Sequence, residues 1–275
     1  MITLYSTLEK RIKRALGMST KKVALVLSGG SALGFAHIGV IKTLEKYNVP
    51  IDIIVGTSMG GLVGAAYSSG LSVPEMIKFA CKFKKIHFFD INFNASGLFS
   101  GKGVMRNINK FLPDKKIENL KPNFACIACD LKEEKQVIFK TGSVRDAVRS
   151  TLSVPGFFVP FKKDDMLLVD GGCVNNMPDD VAKKMGADVI IAVDVIKYCK
   201  LASNPKTVID TLIASINVMT KVVTKNRQSY YDFLIEPNLT GFTQMSFGKK
   251  NVLKLIELGQ KETEKKIKEI LKVIK

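Results

Sequence analysis

The 275-residue chain has no tryptophan, only two histidines (His37 and His87), and only six arginines among its 42 basic residues. Arginine forks read base edges and aromatic rings stack on unpaired bases, so this scarcity argues against nucleic acid as a partner. Five cysteines, Cys81, Cys126, Cys129, Cys173 and Cys199, show no disulfide-scaffold spacing, which points to a reducing compartment. No apolar run reaches the ~18 residues of a transmembrane span. The first residues lack a long apolar core followed by a small-residue cleavage site, so no secretory signal peptide is expected. Cytoplasmic residence with transient membrane contact is the resulting expectation.

What is present is a large apolar fraction, 46%, enough for the core of one α/β domain. Against 25 acidic residues the 42 basic ones leave a net charge of +17. A surface of this kind is drawn to anionic headgroups, although solvated lysines spread over all faces would produce the same total. Residues 1–20 read as a basic amphipathic helix, with Leu4, Leu8, Ile12 and Leu16 one turn apart and Lys10, Arg11, Lys13 and Arg14 between them. Residues 21–275 read as one domain that includes a charged C-terminal helix.

Within that domain, short apolar runs alternate with helical patterns. Val23–Leu27 is a continuous apolar run, as expected of a parallel strand buried on both faces, and Ile51–Val55 reads as a second buried strand. Helices follow over Phe35–Tyr47 and from Met59 to about Ser69. Further strands are expected at 124–129, 136–140, 166–169 and 189–195, and helices at 143–152, 179–185 and 207–224. In the last of these Ile209, Leu212, Ile213, Ile216, Met219 and Val223 form one stripe. The alternation predicts an α/β fold with a mainly parallel sheet.

Gly56-Thr57-Ser58-Met59-Gly60 has the G-x-S-x-G form of a nucleophile elbow, set between a buried strand and a helix of small residues. The turn is so tight that larger side chains two positions either side of the serine would clash. The serine then stands at a helix N-terminus, where the dipole favours a developing anion. The base is less evident. His37 lies in a helix start and reads as a bracing residue, whereas His87 is the one histidine downstream and leaves a triad open. Asp170, at a strand end before Gly171-Gly172, can accept a proton by itself. Gly29-Gly30-Ser31 forms a backbone nest for phosphate or for a tetrahedral oxyanion. No G-K-[ST] follows, so it is not a P-loop. A dinucleotide reading with Asp52 as the ribose ligand remains as a rival that leaves Ser58 and Asp170 unused. Cys126 and Cys129, three apart in a strand, point to opposite faces and read as core residues.

Gly29-Gly30-Ser31-Ala32-Leu33-Gly34, Ala36-His37-Ile38-Gly39-Val40, Gly56-Thr57-Ser58-Met59-Gly60, Arg149-Ser150 through Pro155-Gly156-Phe157 to Pro160, and Asp170-Gly171-Gly172 occur in an order and spacing that resembles the patatin-like phospholipase family in its bacterial form. The resemblance covers roughly residues 21–260. It implies a three-layer αβα sandwich, lipid acyl hydrolase activity (phospholipase A, lysophospholipase or carboxylesterase) through an acyl-enzyme, and no metal or cofactor. It assigns Ser58 as nucleophile and Asp170 as base, with the backbone N–H groups of Gly29, Gly30, Ser31 and Met59 as the oxyanion hole. Gly34, Gly56, Gly60, Gly171 and Gly172 are motif glycines. The implied partners are a lipid ester and, peripherally, an anionic membrane. Ser31 stands where the family often has a third glycine, and Leu33 where it often has a basic residue. These departures keep a second reading open, a catalytically weak lipid-binding or regulatory protein on the same fold. Phe88-Phe89, Leu98-Phe99 and Phe157-Phe158 are the segments expected to line an acyl channel.

Overall fold

The computed structural model describes residues 21–83, 97–199 and 207–274. The helix expected over residues 1–20, His87, Phe88-Phe89 and the side chain of Ile209 lie outside the described residues. The strands are β1 (Val23–Leu27), β2 (Ile53–Thr57), β3 (Asn123–Asp130), β4 (Lys135–Phe139), β5 (Phe161–Lys163), β6 (Met166–Asp170), β7 (Val189–Val193) and β8 (Phe233–Ile235). The α-helices are α1 (Ala36–Lys46), α2 (Met59–Ser68), α3 (Val73–Lys82), α4 (Lys102–Phe111), α5 (Val144–Thr151), α6 (Asp179–Lys184), α7 (Val208–Lys225) and α8 (Lys249–Ile274).

The strands form one sheet in the order β5-β6-β3-β2-β1-β7-β8, with β4 also paired to β3. Strands β1, β2, β3, β7 and β8 run parallel, and β4 and β6 are antiparallel to β3. Side chains alternate across the sheet, as strand geometry dictates. Val23, Leu25 and Leu27 enter one core with α1, α2 and α8, while Ala24 and Val26 enter another with Val181 and Ala182 of α6. With both faces covered, the strands read as unbroken apolar runs rather than as alternating ones. This is the sandwich that the resemblance implies. No helix among the described residues is long and apolar enough to cross a membrane.

One boundary differs in a way that matters. The second strand begins and ends two residues later than the sequence predicts. Asp52 is occupied at the start, its carboxylate accepting the Val23 N–H at 2.8 Å, while Gly56 and Thr57 continue the ladder opposite Cys126 and Ile127. Strand pairing therefore runs up to the residue before Ser58. The same contact removes the dinucleotide reading, because Asp52 sits at the end of the sheet opposite the glycine-rich turn.

Candidate active site

The site lies at the carboxyl ends of β1, β2 and β6. Between Thr57, which ends β2, and Met59, which starts α2, Ser58 makes the whole turn with φ 53° and ψ −124°. A side chain held in this region costs on the order of 1–3 kcal/mol, so its surroundings must enforce it. They do so with three hydrogen bonds. The Ser58 N–H donates to Thr151 Oγ1 at 2.8 Å, the Thr57 hydroxyl to the Asn175 carbonyl at 2.8 Å, and the Leu62 N–H to the Ser58 carbonyl at 3.0 Å. The two flanking glycines are required by contact. A Cβ on Gly56 would lie 2.5 Å from the Gly60 carbonyl, and one on Gly60 would lie 2.2 Å from the Leu27 carbonyl oxygen. Both obstacles are backbone, so neither can rotate away. Gly60→Ala is expected to destabilise the fold by about 3 kcal/mol; chemical denaturation of the variant measures it, and a loss below half that would show that the turn relaxes freely.

Asp170 closes β6 opposite Ala128 of β3. Its carboxylate accepts the Gly172 N–H at 2.8 Å. Burial raises its pKa from 3.8 to about 6, against the lowering effect of the Ser58 hydroxyl and the Gly172 N–H. It is therefore a carboxylate that the serine hydroxyl influences, ionised at neutral pH, and more basic than an exposed aspartate. His37 is fully buried in α1, where desolvation lowers its pKa to about 4 and keeps it neutral. Its Nε2 meets the Ser28 carbonyl at 2.8 Å, and since a carbonyl only accepts, the proton is on Nε2. His37 thus braces the strand end just before the glycine turn.

The glycine turn provides fewer free donors than the sequence implied. The Gly29 N–H is taken by the Asn176 carbonyl at 3.3 Å, and the Asn176 side chain returns a hydrogen bond to the Gly29 carbonyl at 3.4 Å. Gly29 is therefore anchored by its neighbour and does not present its N–H to the site. The next donors along are also committed: the Ala32 N–H donates to the Gln244 carbonyl at 3.2 Å and the Leu33 N–H to Gly30 at 3.1 Å. The N–H groups of Gly30, Ser31 and Met59 have no acceptor among the described residues. Ser31 adopts φ 51°, the left-handed region that favours glycine, which accounts for the family's glycine here. A serine there keeps its N–H at a strain cost of roughly 1–2 kcal/mol. Leu33 is fully buried, Gly34 packs on Met59, and Gly171-Gly172 form the turn beside Asp170.

Ser58, Asp170 and the glycine turn open onto a cavity of about 140 Å³. Its walls are mainly apolar, with Phe83, Phe157, Phe158 and Phe247 on one part and Ile213 and Ile216 of α7 on another. Of the segments expected to line an acyl channel, Phe157-Phe158 line this cavity. Leu98 does not: its side chain is exposed, and Phe99 instead packs on the Phe158 ring at 6.1 Å between centroids. Cys126 and Cys129 are buried within β3. Cys173 is exposed and lines the cavity, its thiol pushed up to about 12 by burial of the sulfur and by nearby Asp170.

The sequence reading did not single out Thr151, Asn176, Asn217, Thr220 or Gln244. Thr151 and Asn176 hold the elbow and the glycine turn. Asn217 and Gln244 exchange two side-chain hydrogen bonds, of 3.2 and 2.6 Å, and the Thr220 hydroxyl donates to the Gly172 carbonyl at 3.2 Å. The one available signal was a polar pair inside an otherwise apolar helical stripe, at Asn217 and Thr220. Isolated polar residues carry no partner information until the chain folds.

A family model described as patatin-like phospholipase matches residues 25–183. The chain is 36% identical over 193 residues to "Patatin-like phospholipase domain-containing protein 6" of Homo sapiens, an alignment covering 67% of this chain and 14% of that protein. It is 36% identical over 181 residues to "Lysophospholipase nte1" of Aspergillus fumigatus, covering 64% and 12% respectively. The chain thus spans only about 12–14% of the length of these curated relatives. The crystal structure of VipD from Legionella pneumophila superposes with a TM-score of 0.53 at 13% identity, over 92% of this chain and 67% of that one. That likeness is one of fold.

Proposed function

Since this chain belongs to the patatin-like phospholipase family, we propose that residues 21–275 act as one hydrolase domain on lipid carboxylic esters, with Ser58 as nucleophile and Asp170 as its base. The observation that carries the reading is the setting of Ser58 at a strained strand–helix turn, on the same apolar cavity as the buried Asp170 carboxylate. Ser58 Oγ attacks the ester carbonyl and its proton passes to Asp170. The carbonyl oxygen becomes an anion at the N-terminus of α2, where the N–H groups of Gly30, Ser31 and Met59 are uncommitted. Collapse of the tetrahedral adduct breaks the ester C–O bond, and Asp170 returns the proton to the departing alcohol. Water then attacks the acyl-serine and gives its proton to Asp170; the Oγ–acyl bond breaks, Asp170 returns that proton to Ser58 Oγ, and the fatty acid leaves.

The apolar cavity supports an acyl chain as the recognised part of the substrate. The names of the relatives, phospholipase and lysophospholipase, support a glycerophospholipid or its lysolipid as the class. Three uncommitted donors beside Ser58 weigh against the catalytically weak reading, because Ser31 retains the N–H that a glycine would offer. The test is a fluorophosphonate ester, with mass spectrometry of the intact protein and its peptides. One adduct on Ser58 is expected, forming faster at pH 8 than at pH 5. A folded protein that remains unlabelled would overturn the assignment.

A further inference from the structure

Helix α7 divides its residues unusually for a helix packed on its own domain. Among its described side chains, those buried deepest are polar: Asn217 is 5% exposed and Thr220 6%. Its exposed side includes, beside Thr211, Ser215 and Lys225, three apolar residues: Val218 is 47% exposed, Met219 58% and Val222 50%. The stripe read from the sequence, from Ile209 to Val223, therefore breaks at Met219, which points outward. The inner polar residues are held by the site, through the Asn217–Gln244 pair and the bond from Thr220 to Gly172. The last turn is tied down by Arg227, whose guanidinium bonds Asp180 and the Asn175 side chain. Ile213 and Ile216, between the two faces, line the cavity. One helix thus forms the wall of the cavity and presents three adjacent apolar side chains on its outer surface.

We propose that the outer face of α7, formed by Val218, Met219 and Val222, docks on an anionic lipid bilayer and places the mouth of the cavity at the membrane surface. Charge complementarity selects this occupant. The helix carries a single acidic residue, Asp210, against Lys221 and Lys225, and the whole chain carries +17. A cationic helix with a small apolar face inserts shallowly at the headgroup boundary and is drawn there by anionic lipid. A second copy fits poorly, because two chains of this charge repel each other and three side chains offer far less than the roughly 1,200–2,000 Å² that a stable protein interface buries. The proposal deepens the lipid-ester reading by naming the surface that meets the substrate phase, but its readout needs no turnover.

The chain has no tryptophan, so a single introduced indole reports its own surroundings. Met219→Trp is compared with Val273→Trp in the full chain. Val273 is exposed at the end of α8, its carbonyl bonded by Lys21 beside the start of β1, at the other end of the sheet from the site. With phosphatidylglycerol-containing vesicles, emission from the first variant should shift to the blue and be quenched by brominated acyl chains. The second should show neither change, and pure phosphatidylcholine should give a weaker response. Met219→Asp combined with Val222→Asp should lower vesicle partitioning roughly tenfold or more while hydrolysis of a soluble short-chain ester is unchanged. Equal quenching of both indoles, or full partitioning of the double aspartate variant, would overturn the proposal. So would a concentration-dependent blue shift without lipid, which would mark the face as a contact between copies. Loss of ester hydrolysis in wild type with docking intact would refute the catalytic reading alone.

Discussion

Replacing Ser58 by alanine is expected to lower ester turnover by roughly 10⁴–10⁶-fold, the range seen when a serine nucleophile is removed from an otherwise complete site. The remaining rate would come from cavity binding and from the donors around the oxyanion position. The fold should survive. Losing the hydroxyl's interaction with Asp170 costs about 1 kcal/mol. The backbone bonds from Ser58 to Thr151 and from Leu62 to Ser58 remain. Circular dichroism and thermal unfolding should therefore match wild type within a few degrees. A folded Ser58→Ala protein that retains more than about a tenth of wild-type turnover would refute Ser58 as the nucleophile.

The second large effect concerns Asp170. The proposed base function requires the ionised form, and the Asp170 pKa is raised to about 6, chiefly by burial. Wild-type kcat/KM is therefore expected to rise about tenfold per pH unit below 6 and to level off above it. Asp170→Asn should reduce the plateau by roughly 10³–10⁴-fold and abolish the rise. Stability should move the other way. A carboxyl whose pKa is higher folded than unfolded gives up stability as the pH climbs from 3.8 to about 6 and carries the full penalty above that. The carboxamide oxygen of the Asp170→Asn variant would still accept the Gly172 N–H, so the variant should equal or exceed wild type at pH 8, by up to about 3 kcal/mol. It should gain nothing of this kind near pH 3. A pH limb that persists in Asp170→Asn would assign the titration to another group. A variant less stable at pH 8 would contradict the burial penalty.

Much of the site was legible because its signals are local. The tight turn of Gly56-Thr57-Ser58-Met59-Gly60 imposes small residues at its own fixed positions, and the structure shows both glycines blocked by backbone. Asp170 was legible from its place between a strand and two glycines. The strands were visible as apolar runs because both faces of a parallel sheet are covered. The edges of β2 and the end of β7 were misplaced by two residues and the short β5 was missed; at β2, Asp52 and Gly56 make opposite choices for long-range reasons.

The sequence by itself determined which side chains and which turns are available: the elbow, the aspartate at the strand end, the glycine turn and the alternation that builds an α/β fold with a mainly parallel sheet. These depend on φ/ψ limits and side-chain period over a few residues. The tertiary structure decided how those parts are spent. It committed the Gly29 N–H to Asn176, left Gly30, Ser31 and Met59 uncommitted, and set Asp170 in a buried place that raises its pKa. It also turned Asn217 and Thr220 inward and Met219 outward on α7. The physical reason is that hydrogen bonds and burial belong to pairs of groups far apart in the chain, such as Asn217 with Gln244 and Thr220 with Gly172, and a helical period cannot state which of its faces has found a partner.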